Sequence, residues 1–218
     1  QTWWLPSGIT PANVLAAYQF KGAASETSSY YNLVDSSKYQ LSKSNYYVAW
    51  TIDKGTFIPA TCGAGLTGFN QGYVSCAVKF SDVDVDANTE VGLVSPDNGY
   101  YLFAKTASGA SSYYKTPGFS TATANDQSAS RSSDPMSNGV LGYTRSLGKL
   151  YQNGQSKTLT TYTWTEADMA FYVSIGNGSR EDYPLRTMGT VYIQAVVFYS
   201  VALSDAQHAE LAVKMNAI

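Results

Sequence analysis

Charge is scarce in this sequence: Asp, Glu, Lys and Arg make up 14% of its 218 residues, against roughly a quarter in an ordinary soluble domain. The net charge is −2 and no Lys/Arg run occurs. A nucleic-acid binder presents a basic face, so nucleic acid is excluded as a partner. Long apolar runs are also lacking. The longest, Val191 to Leu203, is interrupted by Gln194 and Ser200 and falls short of the roughly 18 residues a membrane-spanning helix needs. There is one histidine, His208, and there are two cysteines, Cys62 and Cys76. That inventory gives no support to a Cys/His zinc site, a Cys–His pair or a Ser–His–Asp set. No Gly-rich phosphate loop occurs either. The two cysteines leave two readings open. Paired, they close a short loop, add roughly 3 kcal/mol and imply an oxidising compartment. Unpaired, they are buried thiols on or near strands.

Apolar residues form 44% of the chain, and Tyr (18), Ser, Thr and Gly carry most of the polarity. The length suits one large all-β domain with a well-buried core. Low charge with abundant Tyr is typical of extracellular, glycan-facing or virion proteins, so an extracellular or virion-surface location is expected.

The recurring pattern is period two, broken by turn residues. Val14–Phe20 reads as a first strand, preceded by a helical turn with Thr10 as cap and Pro11 in first position. In Tyr73–Phe80, Val74, Cys76, Val78 and Phe80 are expected to face the core, with Tyr73, Ser75 and Lys79 outward. Glu90–Val94 and Tyr100–Lys105 read as antiparallel partners across a turn at Pro96–Gly99. Thr106–Ser133, poor in bulky aliphatics, reads as short strands and long loops. Gly139–Thr144, Lys149–Gln152, Ala170–Ile175 and Val191–Tyr199 are further strands, and Asn153-Gly154 is a hairpin turn. One helix is expected near the end. Ser204 and Gln207 form a capping box, and Leu211, Met215 and Ile218 share a face. Many short strands with a terminal helix argue for a sandwich.

Two segments carry a family likeness. Val196-Val-Phe-Tyr-Ser-Val-Ala-Leu-Ser-Asp-Ala-Gln-His-Ala-Glu210 resembles the closing strand and helix of laminin-G-like domains, and Leu150-Tyr-Gln-Asn-Gly154 resembles their hairpin. Ala16-Ala-Tyr-Gln-Phe-Lys-Gly22 is similar to their first strand. With the Trp-Trp start, it also resembles sandwich domains of bacteriophage and gut-microbial surface proteins. The resemblance implies an all-β fold: a concanavalin A-like jelly-roll β-sandwich of two antiparallel sheets with a short C-terminal helix. It implies one domain over residues 1–218, with residues 1–13 as an N-terminal arm. That fold hosts lectins, adhesion modules, glycoside hydrolases and polysaccharide lyases, so function must come from a site.

Laminarinase-like members carry Glu-x-Asp-x-x-Glu, in which paired carboxyls perform retaining chemistry. Here Glu166-Ala-Asp168 matches the first two acids, but Phe171 stands where the proton donor belongs. His208 is expected at the rim of the terminal helix rather than as a base. Asp82, Asp84 and Asp86 are the densest acidic run. Converging, they would hold Ca2+. As an EF-hand the run fails, with Ala87 at position six and Leu93 at position twelve, which favours a charged connection that keeps an edge soluble. Glycans need aromatic faces with hydrogen-bonding neighbours, and the candidates in loop-like stretches are Tyr113, Tyr114, Trp164, Arg180 and Tyr183. Trp3 and Trp4, adjacent on an extended segment, are expected to point opposite ways, leaving one to contact another protein chain of an assembly. The function expected is a non-catalytic surface or virion-associated module, glycan-binding or adhesive. A carbohydrate-active enzyme with an unrecognised site and a purely structural assembly domain are the alternatives.

Overall fold

The computed structural model describes residues 2–43, 48–59, 65–84, 91–96, 102–104, 113–114, 138–147, 149–158, 173–176 and 189–218. Among them lie strands β1 (Val14–Gln19), β2 (Ser42–Lys43), β3 (Ala49–Thr51), β4 (Gly55–Ile58), β5 (Leu66–Phe69), β6 (Ser75–Asp84) and β7 (Val91–Pro96). They continue with β8 (Leu102–Ala104), β9 (Tyr113–Tyr114), β10 (Gly139–Thr144), β11 (Lys149–Gln152), β12 (Gln155–Thr158), β13 (Val173–Ile175) and β14 (Thr190–Tyr199). Helix α1 covers Glu26–Ser29 and helix α2 covers Asp205–Asn216. The strands form two antiparallel sheets, as the all-β sandwich reading requires. The first has the order β12-β11-β10-β6-β14-β4-β3, with β1 also on β14, and the second runs β2-β5-β13-β7-β8-β9.

Strands β10, β11 and β14 and the capped helix stand where periodicity and turn chemistry put them. Asn153 (φ 48°) and Gly154 (φ 82°) make the left-handed hairpin turn. Ser204 accepts from the Gln207 amide while Gln207 Oε1 accepts from the Ser204 amide. Strands β2 to β5 went unread in the sequence, because the 42–69 region is short-stranded and Gly-rich with little alternation.

Side chains from both sheets fill the space between them. Val78, Phe80, Val196 and Phe198 of the first sheet meet Leu66, Phe69, Val94 and Ile175 of the second. Phe69 and Phe198 stack with ring centres 4.3 Å apart. The first sheet is covered on its other face too. There Ala17, Ala77, Ala195, Val197 and Tyr199 pack under Trp3, Trp4, Leu211, Ala212 and Met215. This second cover overturns half of the expected phase of β6. Cys76, Val78 and Phe80 face the inner core as expected, but Ser75 (0% exposed) and Lys79 (9%) are buried beneath the arm and α2. Tyr73 (3%) turns into the inner core from just before the strand, and Val74 is only half-buried.

The expected outward tryptophan is not found. Trp3 (5% exposed) and Trp4 (9%) are both buried within the chain, edge to face with ring centres 5.6 Å apart. Residues 3 and 4 lie in a turn rather than an extended strand, so alternation does not separate them. Trp3 Nε1 donates to Gln19 Oε1 (2.9 Å), and the Trp4 carbonyl accepts from Tyr199 Oη (2.8 Å). Three positions of α2 hold the arm from above. Gln207 donates to the Ser7 carbonyl, Glu210 accepts from the Ser7 amide, and Lys214 donates to the Leu5 carbonyl.

The far edge of β1 is sealed by Asn32. Its side chain accepts from the Ala17 amide and donates to the Leu15 carbonyl, and the Leu33 amide donates to the Ala17 carbonyl. An edge satisfied in this way offers no template for strand pairing. Cys76 is buried in the inner core; Cys62 lies outside the described residues. Among the described residues no helix is long and apolar enough to cross a membrane.

Truncating either tryptophan leaves a void under α2. Trp3→Ala or Trp4→Ala is expected to lower stability by about 3–5 kcal/mol, read by urea unfolding, with the sedimentation coefficient of the native protein unchanged. Dissociation of an oligomer without loss of stability would restore the intermolecular role of the arm.

Candidate functional site

Six of the residues singled out from the sequence fall outside the described part of the chain: Trp164, Arg180, Tyr183, Asp86, Glu166 and Asp168. Tyr113 and Tyr114 form β9, paired with Phe103 and Leu102 at the edge of the second sheet. Asp82 and Asp84 sit at the end of β6, both exposed. Among the described residues no three His, Cys, Asp or Glu side chains gather as a metal site would require.

The site the structure assembles instead lies where, among the described residues, the outer cover of the first sheet stops. Register places Ala49, Phe57, Tyr192 and Ser81 in one row across β3, β4, β14 and β6. Phe57 and Tyr192 are half-buried, with ring centres 5.1 Å apart at 50°. Lys54 holds its ammonium 5.0 Å from the centre of the Tyr192 ring and 3.2 Å from Asp82 Oδ2. Gln194 Nε2 donates to Ser81 Oγ at 3.2 Å.

Two irregularities create this row. Pairing slips between Ile193 and Ala195 on β14, and Asp82 on β6 has a left-handed φ of 51°. Along β14, Val196 and Phe198 face inward and Ala195 and Val197 outward. Continued without a slip, that alternation would send Tyr192 inward and Ile193 outward. The extra residue reverses the phase, so Val191 and Ile193 stay in the core and Tyr192 turns out. Val83 stays inward by the same device on β6, leaving Asp82 and Asp84 outside. Gly55 (φ 88°) closes the β3–β4 turn against β14, where a Cβ would lie 2.4 Å from the Ile193 carbonyl oxygen. Only glycine permits that approach. The sequence holds one signal for this site: Tyr192 stands between Val191 and Ile193, so it faces away from both.

His208 is buried rather than at the rim (2% exposed), because α2 packs over β10 and β12, with Tyr151 of β11 beneath the imidazole. Its ring stacks on Tyr151 at 3.7 Å, and Nε2 lies 2.8 Å from Thr144 Oγ1. Thr144 Oγ1 also lies within hydrogen-bond distance of the Leu203 carbonyl and of Ser75 Oγ, and the Leu203 amide donates to Ser75 Oγ. Tyr151 Oη and Lys149 Nζ both donate to Asp205 at the helix start, which holds that carboxyl below its ordinary range. Burial pulls His208 down to about 3, only partly opposed by the Asp205 charge. This group of side chains fastens α2 to the sheet, with His208 and Thr144 buried and Asp205 exposed at its rim.

No protein-family model and no curated protein matches the sequence. In shape the chain is similar to a Trypanosoma rangeli sialidase bound to a difluoro-KDN ligand (TM-score 0.59, 12% identity, 94% of this chain and 33% of that one). The same enzyme in complex with sialic acid gives a TM-score of 0.56 at 12% identity, over 97% of this chain and 36% of that one. The receptor-binding domain of botulinum neurotoxin mosaic serotype C/D is also similar (TM-score 0.53, 13% identity, 95% of this chain and 52% of that one). The chain thus spans about a third of the sialidases and about half of the toxin domain. At such identities the likeness establishes the fold alone, a β-sandwich.

The depressed His208 pKa makes stability depend on pH. The unfolded histidine takes up a proton below its ordinary 6.5, whereas the folded one resists until about 3. Its contribution is therefore complete above the upper value and shrinks as pH falls through the interval, by about 1.4 kcal/mol per pH unit. In His208→Gln, which keeps a hydrogen-bonding group for Thr144, the unfolding free energy is expected to fall less steeply with acid by that slope. Urea titrations at several pH values would show it, and parallel curves for the two proteins would refute it.

Proposed function

We propose that this chain is a non-catalytic, laminin-G-like binding module that takes carbohydrate on the uncovered half of its first sheet. The observation that carries the reading is the row Ala49–Phe57–Tyr192–Ser81. It is a two-ring aromatic surface on strands, flanked by an ammonium, a carboxylate and a hydroxyl, the last held by the buried Gln194 carboxamide. Sugars present C–H faces to aromatic rings and hydroxyls to such polar groups. The similar structures add support from their own descriptions, one a sialidase holding sialic acid and the other a receptor-binding domain. Low charge and abundant Tyr fit a module displayed outside a cell or on a virion.

A binding role is favoured over catalysis because, among the described residues, three carboxylates away from the aromatic row have structural partners. Glu26 accepts from Lys43 and Tyr30, Asp205 from Lys149 and Tyr151, and Glu210 from the Ser7 amide with Lys214 beside it. Screening the protein on a glycan array, followed by calorimetry with the best ligand, tests the reading. Tyr192→Ala and Phe57→Ala are expected each to weaken binding about tenfold or more, as truncation of a central aromatic anchor does, while the native circular dichroism spectrum persists. Product release from any bound glycan, or binding indifferent to both substitutions, would sink the proposal.

A further inference from the structure

The charges around the aromatic row favour one class of saccharide; this step rests on the carbohydrate reading above. The ammonium of Lys54 lies over the Tyr192 ring, where the negative face of an aromatic attracts a cation. The same ammonium meets Asp82, and both side chains are about half exposed, so the pair is weakly held. A second carboxylate, Asp84, is exposed on the same face, opposite Thr190 in register. The two other lysines of this face, Lys79 and Lys21, are turned towards the end of α2. Lys79 Nζ donates to Asn216 Oδ1 (2.9 Å) and Lys21 Nζ to the Ile218 carbonyl (2.7 Å). Among the described residues, what remains beside the Tyr192 ring is the carboxylates of Asp82 and Asp84 and the Lys54 ammonium. An acidic saccharide would be disfavoured by the two carboxylates, and a neutral one would engage the charges only through hydrogen bonds to its hydroxyls.

We propose that the Phe57–Tyr192 face takes amino sugars, with the ligand ammonium over the Tyr192 ring and against Asp82 and Asp84, in the place Lys54 occupies in the free protein. Lys54 acts as an internal stand-in that the ligand displaces. Asp82 is suited to the role because its left-handed bulge sets the carboxylate on the rim. Asn tolerates the same backbone, so Asp82→Asn removes the charge without adding strain.

Calorimetric titration of the whole chain with a glucosamine oligomer, its N-acetylated counterpart and an oligogalacturonate separates the possibilities. The glucosamine oligomer is expected to bind at least about fivefold more tightly than the acetylated one, and the oligogalacturonate least tightly. The double variant Asp82→Asn/Asp84→Asn is expected to erase the preference. Lys54→Ala is expected to tighten the glucosamine oligomer about two- to fivefold by freeing the ring, an outcome that a merely structural lysine would not give. Equal, Tyr192-dependent binding of both chito-oligomers would overturn the amino-sugar assignment and leave the carbohydrate reading standing. Loss of Tyr192 dependence for every oligosaccharide would remove both. Tighter, Tyr192-dependent binding of a lysine-rich peptide would also overturn the assignment, giving the face to a protein partner.

Discussion

Strands β6 and β14 run side by side through the middle of the first sheet, and both faces of that ribbon are apolar over most of its length. Burying a two-faced ribbon requires two covers. The second sheet supplies one, placing Leu66, Phe69 and Ile175 against Val78, Phe80 and Phe198. The tryptophan-bearing arm and α2 supply the other, and they come from opposite ends of the described chain. Neither segment covers the face alone. Gln207, Glu210 and Lys214, spaced along one side of the helix, bind the arm backbone at Leu5 and Ser7 and make the two a single layer. The polar anchors beneath follow the same demand. Ser75 and Thr144 are wholly buried, and their hydroxyls satisfy each other, His208 and both backbone groups of Leu203.

The candidate site is a consequence of where that outer layer ends. Past Ala195 the arm and helix give way, and the same strand positions that were apolar become Tyr192 and Thr190. The two bulges serve this change of surroundings. They keep Val191, Ile193 and Val83 on the core side while the outward set turns aromatic and polar. Rigid strands hold the rings, and the tight turn at Gly55 delivers Lys54 to them. A recognition surface built on strands loses little conformational entropy when a ligand arrives.

Local chemistry, which a sequence carries directly, determined much of this protein. The alternation of Gly139–Thr144 and Val191–Tyr199, the Asn153-Gly154 turn and the Ser204–Gln207 capping box each depend on residues a few positions apart, and each stands where the sequence placed it. The all-β sandwich with a closing helix followed from them. Tertiary structure decided what covers what. Lys79 and Ser75 read as outward because a single strand cannot announce a second cover, and Trp3 and Trp4 read as alternating because nothing local shows the turn that buries both. The pattern of its own helix places His208 at the rim, whereas its burial comes from Thr144 of β10 and Tyr151 of β11. Of the aromatic row, the sequence shows only that Tyr192 faces away from Val191 and Ile193, for the same reason. Phe57 and Tyr192 lie 135 positions apart in the chain, and a one-residue slip in pairing, which no local periodicity records, determines whether Tyr192 meets solvent or the core.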